Sequence, residues 1–600
     1  PEMVKSSAGR VAAPAEFRYG TDACPVQNPN EMVLMAYARD FLPILGSLAE
    51  NSELMKNPVY GPLVKGQVEQ LGRVFGAEGA EWHWQSGGPV NLPAGKVTLA
   101  LHDLTGFDGR CDAVLLTTDG DFQPPNQDPA MTQWRRKLLN LPDEPDDAGR
   151  FDLVVVGGGM AGCCTAVSAA RLGCKVALIQ NRPVLGGNNS SEVRVGLSGL
   201  IHQQPYPRLG DLVDELGPIG HWNLWEAKRD PDSPRSKRIF AVIEAHPEKT
   251  THNAGPPSNY EDDQKRRIVE AEDPVRLFLN THVFRVERED NRITAVIGKD
   301  TLTGREMRFR GRLFADCTGD GNLGFLAGAD FRMGREARSE TGEERAPEVA
   351  DQMVMGTSVQ WYTEEEAEPC PFPECPWAVE FNAETCQRLT RGDWDWETGM
   401  TLNQVTEIEK IRDHALRVTY GNWSYLKNKS DMKAKIANRR LAWVAYIGGK
   451  RESRRLLGDV ILQAQDVTEQ RPFPDASVTT TWTIDLHYPN PENTRHFPGE
   501  EFRSIAKHTK IEPYPIPYRC LYSRNVENLM MAGRNISVTH VALGTIRVQR
   551  TTGMMGEVLG MAASICVRRE TTPRGVYEQY LDELKALMQQ GVGRGLAGSP

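Results

Sequence analysis

No run in this sequence approaches the roughly 20 consecutive apolar residues that a membrane-spanning helix requires, so no membrane span is expected. Positive charge is not in excess either. Seventy Lys and Arg against 80 Asp and Glu leave a formal net charge of -10, which gives nucleic acid no electrostatic footprint. There is no Cys-x-x-Cys and no His-Glu-x-x-His, so a built-in metal site is not expected. Eleven cysteines, an odd number, show no framework spacing. Cys163, Cys164 and Cys174 read as small buried hydrophobes, and Cys370 and Cys375 in EPCPFPECPW as loop residues more readily than as a disulfide. The chain starts at Pro1 with neither an initiator methionine nor a signal segment, as a trimmed targeting peptide would leave it. The compartment is therefore expected to be cytoplasmic or bacterial periplasmic or secreted.

Six hundred residues exceed one core and suggest about two to four domains. The most informative segment is 151–180, FDLVVVGGGMAGCCTAVSAARLGCKVALIQ. A β-branched run (Leu153–Val156) enters a turn in which Gly157, Gly159 and Gly162 stand in G-x-G-x-x-G spacing. An Ala-rich helix runs to about Leu172, and a second strand (Lys175–Ile179) ends at Gln180. One glycine permits the tight turn, one lets backbone N–H groups approach a pyrophosphate, and one allows close helix–strand packing. The helix N-terminus then faces the negative charge. Two more glycine-rich strand ends follow. One is Thr318-Gly319-Asp320-Gly321; the other is Gly533-Arg534-Asn535, followed by a helix opening that contains Gly553 and Gly556. Three such ends, far apart in sequence, point to a single large cofactor touched by several segments. A helix N-terminus near a flavin stabilises the negative charge that builds on reduction.

The segments ALIQNRPVLGGNNSSEVRVG, FADCTGDGNLGFLAGADFRMGREA, GNWSYLKN, GGKRESRRLLGD, TWTIDLHYP and IPYRCLYSRNVENLMMAGRNISVTHVALGTIRVQRTTGMMGEVLG resemble the FAD-dependent oxidoreductases of the glutathione-reductase-like superfamily. The resemblance is nearest to succinate dehydrogenase/fumarate reductase flavoproteins, and within them to bacterial members often labelled "xanthan lyase". It covers about 151–580 and implies FAD as cofactor. By that resemblance Gly157, Gly159 and Gly162 hold the pyrophosphate, and Gln180 stands where a ribose-binding acid is usual. Arg182, Gly186, Gly187 and Asn188 lie along the ribityl chain and flavin ring, and Val283 contacts adenine. Thr318, Gly319 and Asp320 flank the diphosphate, while Gly533 and Arg534 replace a more usual Gly-Asp. The related disulfide reductases carry a Cys-x4-Cys pair after the GG loop, but NNSSEVRVG has no thiol. No second strand–GxGxxG–helix unit is present for NAD(P)H. Hydride therefore passes directly between an organic substrate and the flavin, with oxygen, a quinone or a protein carrier as external electron acceptor.

The fold class implied is α/β: a Rossmann-like FAD-binding domain with an inserted α+β substrate domain, plus an N-terminal helical/β-sandwich module. The boundaries are 1–145 for the N-terminal module, 151–345 for the first part of the FAD-binding domain, 346–510 for the substrate or cap domain, and 511–600 for the return to the FAD-binding domain. Apolar spacing in 31–80 predicts helix, and KVTLALHDL with DAVLLTTD predicts a small antiparallel sandwich. HVFRVERED and RITAVIG predict a hairpin, and LPDEPDDAGR (141–150) a linker.

Oxidising a hydroxyl requires a base, and histidine suits the task because it titrates near neutrality. His540 in SVTHVALG is the first candidate and His487 in TIDLHYP the second, with Asp485 on the same strand face to orient a hydroxyl. Arg454, with Arg451 and Arg455, reads as an anion clamp or as an exposed charged helix, and Arg547 as facing the flavin. Trp82 and Trp84, and Trp394 and Trp396 within GDWDWETG, read either as sugar platforms or as packing residues. His202 is a candidate covalent tether, non-covalent FAD being the default. The expected reaction is removal of a hydride from a hydroxyl-bearing carbon of a carbohydrate or similar small molecule. The alternatives are redox-assisted glycoside elimination and reduction of an activated C=C bond. An oligomer is compatible with the sequence.

Overall fold

The apolar run Phe151–Val156 is buried, and main-chain groups that leave water must pair in a ladder. It forms the end of β1 (Asp146–Val156), which leads through the glycine turn into α1 (Met160–Arg171) and back along β2 (Val176–Ile179). The computed structural model describes residues 82–90 and 110–596 in full, and residues 4–5, 15–18, 31–39, 91 and 96–99 as strand backbone. Two compact units divide the chain: Pro1–Pro145 with Thr301–Arg305, and Asp146–Asp300 with Glu306–Pro600.

The second unit is mixed α/β and is built on one sheet. After β2 come β3 (Val275–Phe278), the hairpin β4 (Thr281–Glu289) and β5 (Arg292–Asp300), then β6 (Glu306–Asp316), and much later β7 (Leu529–Met531). Strands β3, β2, β1 and β6 are parallel neighbours in that order. The two halves of β6 have different partners. Its start pairs antiparallel with β5, and its end, Phe314–Asp316, pairs parallel with β7. Strand β2 and the end of β1 are buried throughout, as expected of a parallel sheet covered on both faces. The hairpin expected from HVFRVERED and RITAVIG is β4–β5.

Helix α1 packs against the long helix α2 (Gln549–Arg569), and glycine sets the separation. A Cβ on Gly556 would fall onto the carbonyl of Ala161, and one on Gly560 would meet the main chain of Ala169. Ser168 Oγ donates to the Glu557 carbonyl at 2.7 Å across the same seam. Gly553 faces Val213 and Cys164. Gly553 and Gly556, expected at the cofactor, are therefore helix-packing residues: Gly556 permits close approach to the α1 main chain, and Gly553 makes room for Val213 of the helix Asp211–Leu216.

Between β6 and β7 a separate hydrophobic cluster forms around Trp361, Phe381, Trp396, Trp423 and Phe502. Short strands and the helix Ile408–Asn428 surround it. Nearby, Thr357–Ser358 pairs with both Glu397–Thr398 and Gly449–Lys450, and Ile484–Pro489 pairs antiparallel with Ser504–Thr509. No described helix is long and apolar enough to cross a membrane.

In the first unit, Glu31–Arg39 is a strand paired antiparallel with both His83–Asn91 and Arg110–Thr117, where apolar spacing predicted helix. The run EMVLMAYAR is apolar on both faces of either element, and partners along both edges decide for strand. The rest of that helical expectation, 40–80, lies outside the described residues. Trp84 packs edge-on to Trp134 at 5.7 Å in the core of this unit rather than as a platform. Cys370 and Cys375 are free. Gly556→Val should part α1 from α2 and lower stability by about 3 kcal/mol, read as a lower thermal unfolding midpoint; an unchanged midpoint would contradict this account of the seam.

Candidate active site

The glycine turn brings β1 and β6 into main-chain contact. Gly157 has φ +106°, and a Cβ there would fall onto the Cys317 carbonyl just beyond β6; one on Gly162 would fall onto the carbonyl of Gly157. Gly159 instead is open, its nearest neighbour being the Cα of Gly187, 3.8 Å from where a Cβ would stand. Gly186 N donates to the Gly158 carbonyl at 2.8 Å. Gly159, Gly186 and Gly187 thus form a wall without side chains where α1 begins. Gln180 braces the turn: its Oε1 accepts from Gly158 N at 2.9 Å and its Nε2 donates to the Val184 carbonyl at 3.0 Å.

This wall closes one end of a cavity of about 730 Å³. Gly157, Gln180, Arg182, Asn188, Val283, Thr318, Gly319, Asp320, Gly533 and Arg534 line the same end, so segments from across the chain meet there. Gly162, Gly553 and Gly556 stand outside the wall. Asp316 organises the second turn, accepting from Thr318 N at 3.0 Å, Thr318 Oγ1 at 2.7 Å and Gly324 N at 2.9 Å. Asp320 is paired with Lys450 and with Arg534 Nη2 (2.8 Å), and accepts from Ser453 Oγ at 2.8 Å. Burial alone would raise its pKa, but Lys450 and Arg534 hold the carboxyl well below the usual range. Two cations against one carboxylate leave positive charge in excess beside the glycine wall. A side-chain-free wall, a helix N-terminus and surplus cationic charge fit the diphosphate of a dinucleotide.

The other end of the cavity is lined by His487, Asp485, Arg451, Arg547, His252 and three tryptophans, Trp222, Trp394 and Trp482. His487 Nδ1 lies 2.6 Å from Glu397 Oε2, and Arg547 Nη2 lies 3.1 Å from His487 Nε2. Nε2 also lies 3.3 Å from Asp485 Oδ1, so the ring stands between two carboxylates and a guanidinium, with Glu397 at Nδ1 setting its orientation. Glu397 is fully buried and also accepts from Ser504 Oγ at 2.8 Å and Gly356 N at 2.6 Å. Burial raises its pKa, but Arg451 and His487 outweigh that and hold it at about 2. Arg547 donates to Asp485 Oδ2 at 2.8 Å, and Arg451 donates to the Trp394 carbonyl at 2.7 Å. Each arginine therefore has a carboxylate, Glu397 for Arg451 and Asp485 for Arg547. Arg451 Nη1, Arg547 Nε and Asp485 Oδ1 are nonetheless buried without a hydrogen-bond partner.

His540 is not in the cavity wall. It is 1% exposed, with Nδ1 2.9 Å from Glu452 Oε2 and its backbone N–H donating to Glu336 Oε2 at 2.9 Å. Glu452 and Glu336 both pair with the buried Arg455, so the imidazole is tied into a buried charge network, its Nε2 buried without a hydrogen-bond partner, and the expectation that it serves as the base is not met by the geometry. Arg454 is also outside the wall, donating to Asn322 Oδ1 at 3.0 Å and lying 4.1 Å over the Phe325 ring. KRESRRLLGD is not a helix; of its cations only Lys450 and Arg451 reach the cavity. His202 pairs with Asp211 at 3.1 Å, away from the wall. Sequence reasoning missed Glu397 and Lys450 as partners, and Trp222, Trp482 and His252 as wall residues. Glu397 stands 90 residues from His487, and no spacing rule joins them.

A parallel sheet whose strand ends carry glycine turns into one cavity is the architecture of a dinucleotide-binding fold. The model of the FAD dependent oxidoreductase family matches residues 152–588, and the chain belongs to that family. It is an FAD-dependent oxidoreductase, with FAD as cofactor. Among solved structures, an E. coli quinol fumarate reductase chain, FrdA, is 11% identical over 73% of this chain and 74% of that one, with a TM-score of 0.27. A myxobacterial chondrochloren halogenase is 13% identical over 73% and 78%, with a TM-score of 0.30. The Mycobacterium smegmatis Sdh1 complex is 12% identical over 73% and 72%, with a TM-score of 0.26.

Two outcomes test this geometry. Gly159→Val, whose side chain has room but stands in the side-chain-free wall, should yield a folded protein that loses its yellow flavin absorbance, whereas wild type retains it; equal flavin per chain would contradict this account of the wall. Because Glu397 is held below its ordinary value of 4.5, its contribution to stability is full above that pH and is lost as pH falls toward about 2. The stability gap between wild type and Glu397→Gln in urea unfolding should therefore be wide at neutral pH and narrow in acid.

Proposed function

We propose that this enzyme oxidises a hydroxyl-bearing carbon of a carbohydrate or similarly polar small molecule. The observation that carries the reading is His487 in the cavity wall, with Nδ1 engaged by Glu397 and Nε2 beside Arg547 and Asp485. A substrate hydroxyl that displaces Arg547 from Nε2 gives up its proton there. Glu397 keeps the ring in the right tautomer and stabilises the imidazolium once the proton has moved. Arg547 remains tied to Asp485 and donates to the substrate oxygen. FAD, when bound, supplies the two-electron acceptor for the hydride leaving that carbon. An external electron acceptor completes the cycle.

Charge balance supports a neutral polyhydroxylated substrate over a dicarboxylate. Both arginines at this end already face a carboxylate, so no cation is left unmatched for a substrate anion. Trp222, Trp394 and Trp482 offer apolar ring faces of the kind on which sugars stack. In this reading Gly157, Gly159, Gly186, Gly187, Thr318, Gly319, Asp320, Gly533 and Arg534 surround the FAD diphosphate and ribityl chain, and Val283 lies at adenine. Residues 346–510 act as the substrate-side cap, supplying Glu397 and His487, while 511–600 supply Arg547. His540 has a structural role.

Anaerobic flavin bleaching across sugars, glycosides and dicarboxylates tests the reading. Sugars or glycosides should bleach the wild type, and His487→Ala should slow that bleaching by roughly 10²–10⁴-fold at unchanged flavin content. A wild-type rate in the variant would remove His487 as the base. Bleaching by artificial reductants alone, with re-oxidation by unsaturated dicarboxylic acids, would replace alcohol oxidation by C=C reduction.

A further inference from the structure

The segment Asp393–Glu397 presents two carboxylates to two histidines. Glu397 holds His487, and Asp393 Oδ2 lies 3.2 Å from His252 Nδ1. Trp394 stands between the two acids in sequence, its ring 5.2 Å from that of His487. His252 and His487 line the same cavity. Proton removal from one hydroxyl uses only one of them.

The second pair is as firmly built as the first. Asp393 Oδ1 accepts from Asn253 Nδ2 at 2.6 Å and from Trp394 N at 2.7 Å, and Arg391 Nη2 lies 3.1 Å from Oδ2. Burial raises the Asp393 pKa, but the bond and charge of His252, with these donors, hold the carboxyl well below the usual range. The His252 ring packs edge-on to Trp222 at 5.5 Å, and Trp222 packs on Trp482 at 5.1 Å. A polar imidazole thus stands within an aromatic wall, its Nδ1 beside Asp393 Oδ2 and Asn253 Nδ2 (3.1 Å), which leaves Nε2 as the nitrogen to meet a hydroxyl. Arg391 balances Asp393, so this corner does not select an anion.

We propose that His252, oriented by Asp393, binds a second substrate hydroxyl, and that the substrate class is accordingly a cyclic polyol or pyranoside carrying at least one hydroxyl besides the one oxidised. This rests on the reading of His487 as the base for alcohol oxidation. His252 is a specificity-determining residue: it sets which substrates are held, while the rate of the oxidation step stays with His487.

The test uses FAD-loaded enzyme, with methyl glucopyranoside and its monodeoxy analogues as probes. Binding is measured by calorimetry and oxidation by anaerobic stopped-flow bleaching. Wild type should bind the parent sugar about tenfold more tightly than one of the deoxy analogues. His252→Ala should bind those two equally, its loss falling more on affinity than on the limiting bleaching rate, and His252→Gln, which keeps a hydrogen-bonding group, should restore part of the preference. Flavin content and circular dichroism establish that each variant is folded. If sugars bleach the wild type and His252→Ala keeps the full preference, the second hydroxyl site is wrong and the oxidase reading stands. If sugars bind with a preference that depends on His252 but do not bleach the flavin, the site stands and the oxidase reading fails. Absence of binding by every probe overturns both.

Discussion

Main chain packed directly on main chain is the constraint from which the rest of the second unit follows. Gly157 sits on Cys317, Gly162 on Gly157, Gly186 on Asn189 and Gly556 on Ala161, and at each point a single methyl group would collide with backbone rather than with a movable side chain. These contacts fasten the ends of β1 and β6, the loop after β2 and the helix α2 to one another. What is left between them is a wall without side chains at the mouth of a helix. A small-residue seam is demanding because it leaves no slack for larger residues, yet it lets backbone dipoles rather than flexible side chains face a charged cofactor.

The two ends of the cavity differ in electrostatic character. At the glycine end, Lys450 and Arg534 both pair with Asp320. At the other end, Arg451 and Arg547 are each matched by a carboxylate. Burying such pairs seldom adds net stability, since desolvation offsets much of the attraction. Their value here is orientation. Glu397 fixes one histidine and Asp393 another, and Arg547 and Asp485 together flank the second nitrogen of His487.

The nucleotide-binding half was legible in the sequence because its signals are local. The Gly157–Gly162 spacing, the GG pair and the Thr318–Asp320 turn each occupy a few consecutive residues, and backbone geometry demands glycine there. The histidine end of the cavity is not local in this way. His487, Glu397, Arg451 and Arg547 come from four separate segments, and only the paired short strands bring them together. His540 attracted attention by lying close in sequence to a glycine strand, but proximity to α2 along the chain carries it into a buried ion network instead. Arg454 and Arg451 were indistinguishable as members of one basic cluster. Strand geometry sends them to different places, one over Phe325 and one into the cavity. For Glu31–Arg39, apolar residues on both faces made helix and strand equally readable, and partners far along the chain decided it.

Lys450 and Arg451 are consecutive residues, yet they serve opposite ends of the cavity. Lys450 grips Asp320 beside the glycine wall and its carbonyl accepts from Asn188, while Arg451 faces Glu397 and the Trp394 carbonyl behind His487. One peptide unit thus joins the two binding events mechanically. A shift of this short strand that improved one set of contacts would alter the other, and the two equilibria would then be linked. Thermodynamic reciprocity then requires that whatever factor the cofactor contributes to substrate affinity, the substrate returns to cofactor affinity. The order in which the two ligands arrive would change the route but not the final population of the complex.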